Sequence, residues 1–395
     1  MIACYAWTDI QIINIVNIVL HDFPKEQKDL FVLMLDRIDM VLVEEIRLMG
    51  CFEHIYMVPS PSHNQAKNRE VPVLSGVGAT IESKKFYSSY YREILSTRKY
   101  DILFTPGYWG EAIHLIRYSY KSNRHLMVFF FEEGSGHYSA TLKTLCSIRL
   151  DKGLKKSIIK LIITGKFFFR INRLAQILYL YEPICRINSI NLEIRPIPKI
   201  NQGANGLIDC LVRLARKEIL DEYKEKQFYF FLTANQQHYE GDWKQTREIL
   251  DVIAECVSPS NIIVKTHPEE KRSLNVLENT YSDEIFIDNQ SCSFESILAA
   301  VEADKKVLIS RGTSCLLTGK YLYNYEPYII FTYKLYNDRT ERENNDMQIY
   351  INGLKKVYLY PEKVVVVQTM IELEDILGKL MDEGMIENDS IFCME

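Results

Sequence analysis

Short apolar runs alternate with longer stretches of helical periodicity along most of the chain, a pattern that predicts βαβ units and parallel sheets. Strands are expected at Met1–Trp7, Leu30–Leu35, His54–Val58, Ile102–Thr105 and Leu126–Phe131, then at Phe228–Leu232, Ile262–Lys265, Ile285–Asp288 and Val307–Ser310. Helices are expected near Trp243–Cys256 and Ser293–Val301. After the first strand, Thr8-Asp9-Ile10-Gln11 has the form of a capping box. The positions Ile10, Ile13, Asn14, Asn17 and Ile18 then give one helical face, partly polar.

At 395 residues the chain exceeds the size at which single cores stop growing, which predicts two domains. Pro183, Pro196, Pro198 and Gly203 interrupt short polar pieces around the middle, and the alternation restarts beyond them. The expected division is a Rossmann-like domain over 1–190, a linker over 191–205 and a second Rossmann-like domain over 206–395. Two such domains facing each other across a cleft would bring together the carboxyl edges of their sheets, where α/β proteins bind ligands.

A formal net charge of −5 excludes a global basic field and argues against a nucleic-acid partner. Nine scattered cysteines without a C-x-x-C pair read as small buried hydrophobes and suit a reducing cytoplasm. The N-terminus has no leader pattern, and no uninterrupted run of about 18 apolar residues exists. One segment departs from this picture. From 149 to 173, eight Lys and Arg residues face the single acid Asp151, with Ile and Phe residues interleaved. Such a stretch suits an anionic membrane surface and a peripheral location on the inner face of the plasma membrane; its alternative is a core helix pair with solvated lysines.

The candidate chemistry sits at strand ends. Lys265-Thr266-His267-Pro268 closes the run Ile262–Val264, and cation, imidazole and fixed backbone there suit a phosphate that His267 can protonate. Gly312-Thr313-Ser314 offers hydroxyls and backbone amides at a helix start, an anion site or an ordinary cap. Glu295, in Ser293-Phe294-Glu295-Ser296, can accept from ribose hydroxyls or favour the local dipole. Glu132-Glu133 closes the strand ending at Phe131, before Gly134-Ser135-Gly136. Two adjacent acids point to opposite sides, so one can face ligand as a general base while the other serves the protein. Asp242 is a competing base. No Asp-x-Asp, P-loop or paired-His pattern is present, so neither a P-loop nor a metal site is signalled, and no cofactor is expected.

Together, Glu132-Glu133-Gly134, His267-Pro268, Phe294-Glu295 and Thr313-Ser314 resemble, in order, the motifs of two-domain GT-B bacterial sialyltransferases, most closely glycosyltransferase family 52. The matches span residues 130 to 315, and Thr-Ser stands where relatives often show Ser-Ser or Ser-Thr. The resemblance implies an inverting, metal-independent transfer of sialic acid from CMP-sialic acid to a galactose-type hydroxyl of a capsule or lipooligosaccharide glycan. His267 would assist CMP departure, Thr313 and Ser314, with Gly312, Lys265 and Pro268, would hold its phosphate, and Glu295 its ribose. The base would be Glu132, Glu133 or Asp242, with Gly134 and Ser135 on the acceptor side. A homodimer is also consistent with the family. Alternatives are a CDP-glycerol-type polymer transferase and an inactive glycan-binding scaffold.

Overall fold

The computed structural model describes residues 1–34, 38–60, 77–108, 110–133, 146, 168–185, 190–200, 206–233, 240–267, 281, 284–289, 292–337 and 341–382. The chain divides into two compact units, Met1–Pro198 and Ile208–Glu395, with the intervening residues shared between them.

The first unit is built on β1 (Ile2–Ala6), β2 (Lys28–Leu33), β3 (His54–Val58), β4 (Ile102–Thr105), β5 (Met127–Phe131), β6 (Ala175–Leu180) and β7 (Glu193–Pro196). They form one sheet in the order β3-β2-β1-β4-β5-β6-β7, parallel at every junction. Helices bury both faces of such a sheet, which is why its central strands are apolar throughout rather than alternating. The second unit holds β8 (Phe228–Phe231), β9 (Ile262–Lys265), β10 (Phe286–Asp288), β11 (Val307–Ser310), β12 (Tyr328–Phe331) and β13 (Val364–Val366). Their order is β10-β9-β8-β11-β12-β13, again all parallel. Counted within each unit, both sheets begin 3-2-1-4-5-6, the dinucleotide-binding strand order, with the switch points between β1 and β4 and between β8 and β11.

Two expectations are revised. The stretch 191–205 expected as a linker opens with β7, whose residues Glu193–Pro196 pair with Ile177–Leu180 at the sheet edge. The capping box is half formed. Thr8 has extended cap geometry, but its side chain caps nothing and its Oγ1 is buried without a partner. Gln11 does reach back, but its Oε1 takes the amide of Trp7 at 2.8 Å rather than that of Thr8.

Candidate active site

In the second unit the expected donor-site segments leave one carboxyl edge. His267 follows β9 by two residues and is half-buried, and the helix Phe294–Leu298 follows β10. Gly312-Thr313-Ser314 follows β11, across the switch point. Gly312 has φ 145°, a conformation that favours glycine, and it turns the chain sharply out of the strand. Thr313 Oγ1 accepts from the amide of Cys315 at 3.4 Å. Ser314 begins the helical turn Cys315–Thr318, which a π-helical segment, Gly319–Tyr323, continues. Ser314 is exposed and its hydroxyl makes no cap bond.

Beneath these hydroxyls lies a buried electrostatic cluster. Burial raises the Glu295 carboxyl above the carboxylate range, while its own amide, Thr318, Lys265 and Ser293 oppose the rise. Thr318 Oγ1 donates to Glu295 Oε1 at 3.3 Å, and Tyr323 donates to the Glu295 carbonyl at 2.7 Å. Burial pushes the Cys315 thiol up to about 12, with the Glu295 charge adding to it. Ser293 caps the helix, its Oγ accepting from the amide of Ser296 at 3.2 Å.

Lys265 is placed otherwise than a phosphate-binding cation would be. Its Nζ lies 2.7 Å from Asp288 Oδ2 and donates to the Cys292 carbonyl at 3.0 Å, with the side chain 8% exposed. Asp288 is its register partner on β10 and also accepts from Tyr223 at 2.8 Å. A buried carboxylate at a strand end requires such partners, so the ammonium is drawn inward.

In the first unit the adjacent acids part company. Glu132 is 1% exposed, and its Oε2 accepts from the Tyr181 amide at 2.9 Å while its own amide donates to the Tyr179 carbonyl. It stitches β5 to the exit of β6. Glu133 is half-buried and accepts on Oε2 from Gln11 Nε2. Burial raises its carboxyl, and the Gln11 hydrogen bond pulls it part of the way back. Gly134, Ser135 and Pro268 lie outside the described residues, as do the side chain of Asp242 and the segment 149–167. Asp242 itself belongs to the first turn of the helix Glu240–Cys256. Of the basic segment, Phe168–Ile171 forms one helical turn, with Arg170 donating to Tyr120 at 3.3 Å.

Two residues at this edge escaped the sequence reading. Glu111 starts the helix after β4, and burial raises its carboxyl. Gln11 reads locally as a cap residue, although the position after β1 at a switch point was a usable signal. Among the described residues, Asp29, Glu53 and His54 are close enough to share a cation, but they lie at the amino edge, where Arg98 pairs with Glu53 at 2.7 Å and Asp29 at 3.7 Å. No helix of the described residues is long and apolar enough to cross a membrane.

No family model matches the chain, and no curated protein matches its sequence. Solved structures do match. A protein assigned as a UDP-N-acetylglucosamine 2-epimerase from Listeria monocytogenes has a TM-score of 0.54 at 10% identity, covering 98% of this chain and 88% of its own. The S. aureus MnaA structure with UDP has a TM-score of 0.51 at 9% identity, covering 98% and 89%. The GT-B domain of a sialyltransferase from Photobacterium damselae has a TM-score of 0.48 at 13% identity, covering 92% and 99%. At these identities the likeness is one of fold: the chain has a two-unit, parallel α/β architecture of the GT-B type.

Proposed function

We propose that the chain is an inverting glycosyltransferase that moves sialic acid from CMP-sialic acid to a terminal galactose-type hydroxyl of a capsule or lipooligosaccharide glycan. The observation that carries this reading is the common edge of the second sheet, from which His267, Glu295 and Thr313-Ser314 all depart around the switch point. In this reading the Ser314 hydroxyl, unspent on a cap, and Thr313 hold the departing phosphate, and His267 stabilises and protonates it. An imidazolium and hydroxyls neutralise that charge without calling on a metal. Glu295, its ionisation already discouraged by burial, meets the ribose. Inversion needs one base on the acceptor hydroxyl. Glu133 is the proposed base because Glu132 spends its carboxylate on the Tyr181 amide. Residues 149–173 would bring the enzyme to an anionic membrane surface where such acceptors are assembled.

Incubation with CMP-sialic acid and lactose, and separately with CDP-glycerol, tests the donor. CMP release coupled to sialyl-lactose formation is expected. Turnover of CDP-glycerol alone would reassign the donor, and inertness toward both donors, with glycan binding retained, would make the protein a scaffold. Asp242→Asn, run beside Glu133→Gln, tests the choice of base.

A further inference from the structure

The helix Asp9–Asp22 buries three amides at intervals of three residues, Gln11, Asn14 and Asn17, on a face that packing alone would make apolar. Each has a long-range task. Asn14 Nδ2 donates to the Glu132 carbonyl at 2.8 Å and its Oδ1 accepts from the Tyr181 hydroxyl; Asn17 Nδ2 donates to the Pro198 carbonyl at 2.6 Å. Gln11 is fully buried. The Trp7 amide can only donate, so the oxygen of the Gln11 carboxamide must face it, and the NH2 end is thereby committed to Glu133.

We infer that Gln11 is a positioning residue for Glu133, holding the carboxylate in one orientation while Asn14 fixes the main chain one residue before it. This rests on the reading of Glu133 as the base. An unrestrained carboxylate would sample many rotamers, whereas a buried amide clamped at both ends selects one and favours the ionised form by donating to it. Among the described residues, the titratable groups on the surrounding elements have partners of their own. Glu132 turns to the Tyr181 amide, the Tyr181 hydroxyl to Asn14, and Asp9 Oδ1 to the Asp39 amide. Glu111 lies beside Tyr5, Tyr87 and Tyr91. Among the described residues, burial raises the Glu133 carboxyl and the Gln11 hydrogen bond lowers it, burial being the larger effect.

The test is the pH dependence of kcat/KM for transfer from CMP-sialic acid to lactose by the full chain. Removing a donor to the ionised form raises the carboxyl pKa, so Gln11→Leu should move the acidic limb to higher pH by about one unit. Gln11→Glu keeps an acceptor for the Trp7 amide and serves as the folded test if Gln11→Leu fails to fold. It sets a second carboxyl against Glu133 and should move the limb at least as far. Glu133→Gln should lower the rate about 10²-fold or more. Retained activity in Glu133→Gln overturns the base assignment itself. An inactive Glu133→Gln with wild-type acidic limbs in both folded Gln11 variants overturns the positioning role and leaves the base standing.

Discussion

Replacing Lys265 by Met separates two roles for this lysine, one inside the second unit and one on a bound phosphate. The ammonium lies 2.7 Å from Asp288 Oδ2, the carboxylate is fully buried, and the Tyr223 hydroxyl donates to the same oxygen at 2.8 Å. Lys265→Met leaves that charge without its cation and also strips the Cys292 carbonyl of a donor. Breaking a buried pair on one side costs about 3–5 kcal/mol. For a unit of this size, with 2–4 °C per kcal/mol, the second unit's melting point should fall by roughly 6–20 °C. Calorimetry reads the drop, and the emission of Trp243, which packs against the second core, assigns it to that unit. The double variant Lys265→Met/Asp288→Leu removes both charges and should regain a good part of the loss, a non-additivity expected of direct partners. The reasoning is refuted if Lys265→Met melts within about 1 kcal/mol of wild type but loses CMP affinity, because the ammonium would then be serving the ligand.

Three further outcomes are expected. His267→Ala should lower kcat by about 10²–10⁴-fold with the melting curve unchanged, and near-normal turnover would remove the imidazole from the mechanism. Thr313→Ala and Ser314→Ala should each weaken CMP binding in calorimetry by about 10- to 100-fold, the worth of a hydrogen bond to a charged group, while cytidine binding stays constant; equal losses for both ligands would place these hydroxyls elsewhere. Burial lowers His114 to about 4, and the ring stacks on Tyr87 at 5.1 Å. The unfolded chain, with an imidazole pKa of about 6.5, takes up the proton first as pH falls. The first unit should therefore lose about 3 kcal/mol between pH 6.5 and 4, a slope that His114→Phe removes while keeping the stack; an unaltered slope would reject the assignment.

Apolar runs with sharp polar boundaries revealed strands well. His54–Val58, Ile102–Thr105, Ile262–Lys265 and Val307–Ser310 occur at the residues their pattern predicts. β6 was hidden because the apolar stretch from Leu154 to Leu180 continues into it with lysines and arginines, and Asn172 is too weak a turn signal to mark its start. β7 was hidden for the opposite reason. Glu193-Ile194-Arg195-Pro196 looks like linker, and an edge strand tolerates both its charges and its proline because one side needs no ladder.

Strand ends are likewise local features, so the addresses of Glu133, His267 and Thr313 could be read from pattern alone. The partners that decide what each side chain does could not. Lys265 and Asp288 are 23 residues apart, Gln11 and Glu133 are 122 apart, and neither pairing has a local signature. Lys265 beside His267 suggests a phosphate cation until the register of β9 with β10 sets Asp288 next to it. Gln11 three residues after Thr8 suggests a cap until β5 emerges one strand beyond β4 with an acid for the amide to hold. In both cases a polar group buried by tertiary structure took the nearest complementary partner, because an unpaired one costs about 1–3 kcal/mol, comparable with the whole gain from a cap. Local polar motifs therefore mark where chemistry can be placed in this fold, and contacts between distant segments decide which partner each of those groups takes.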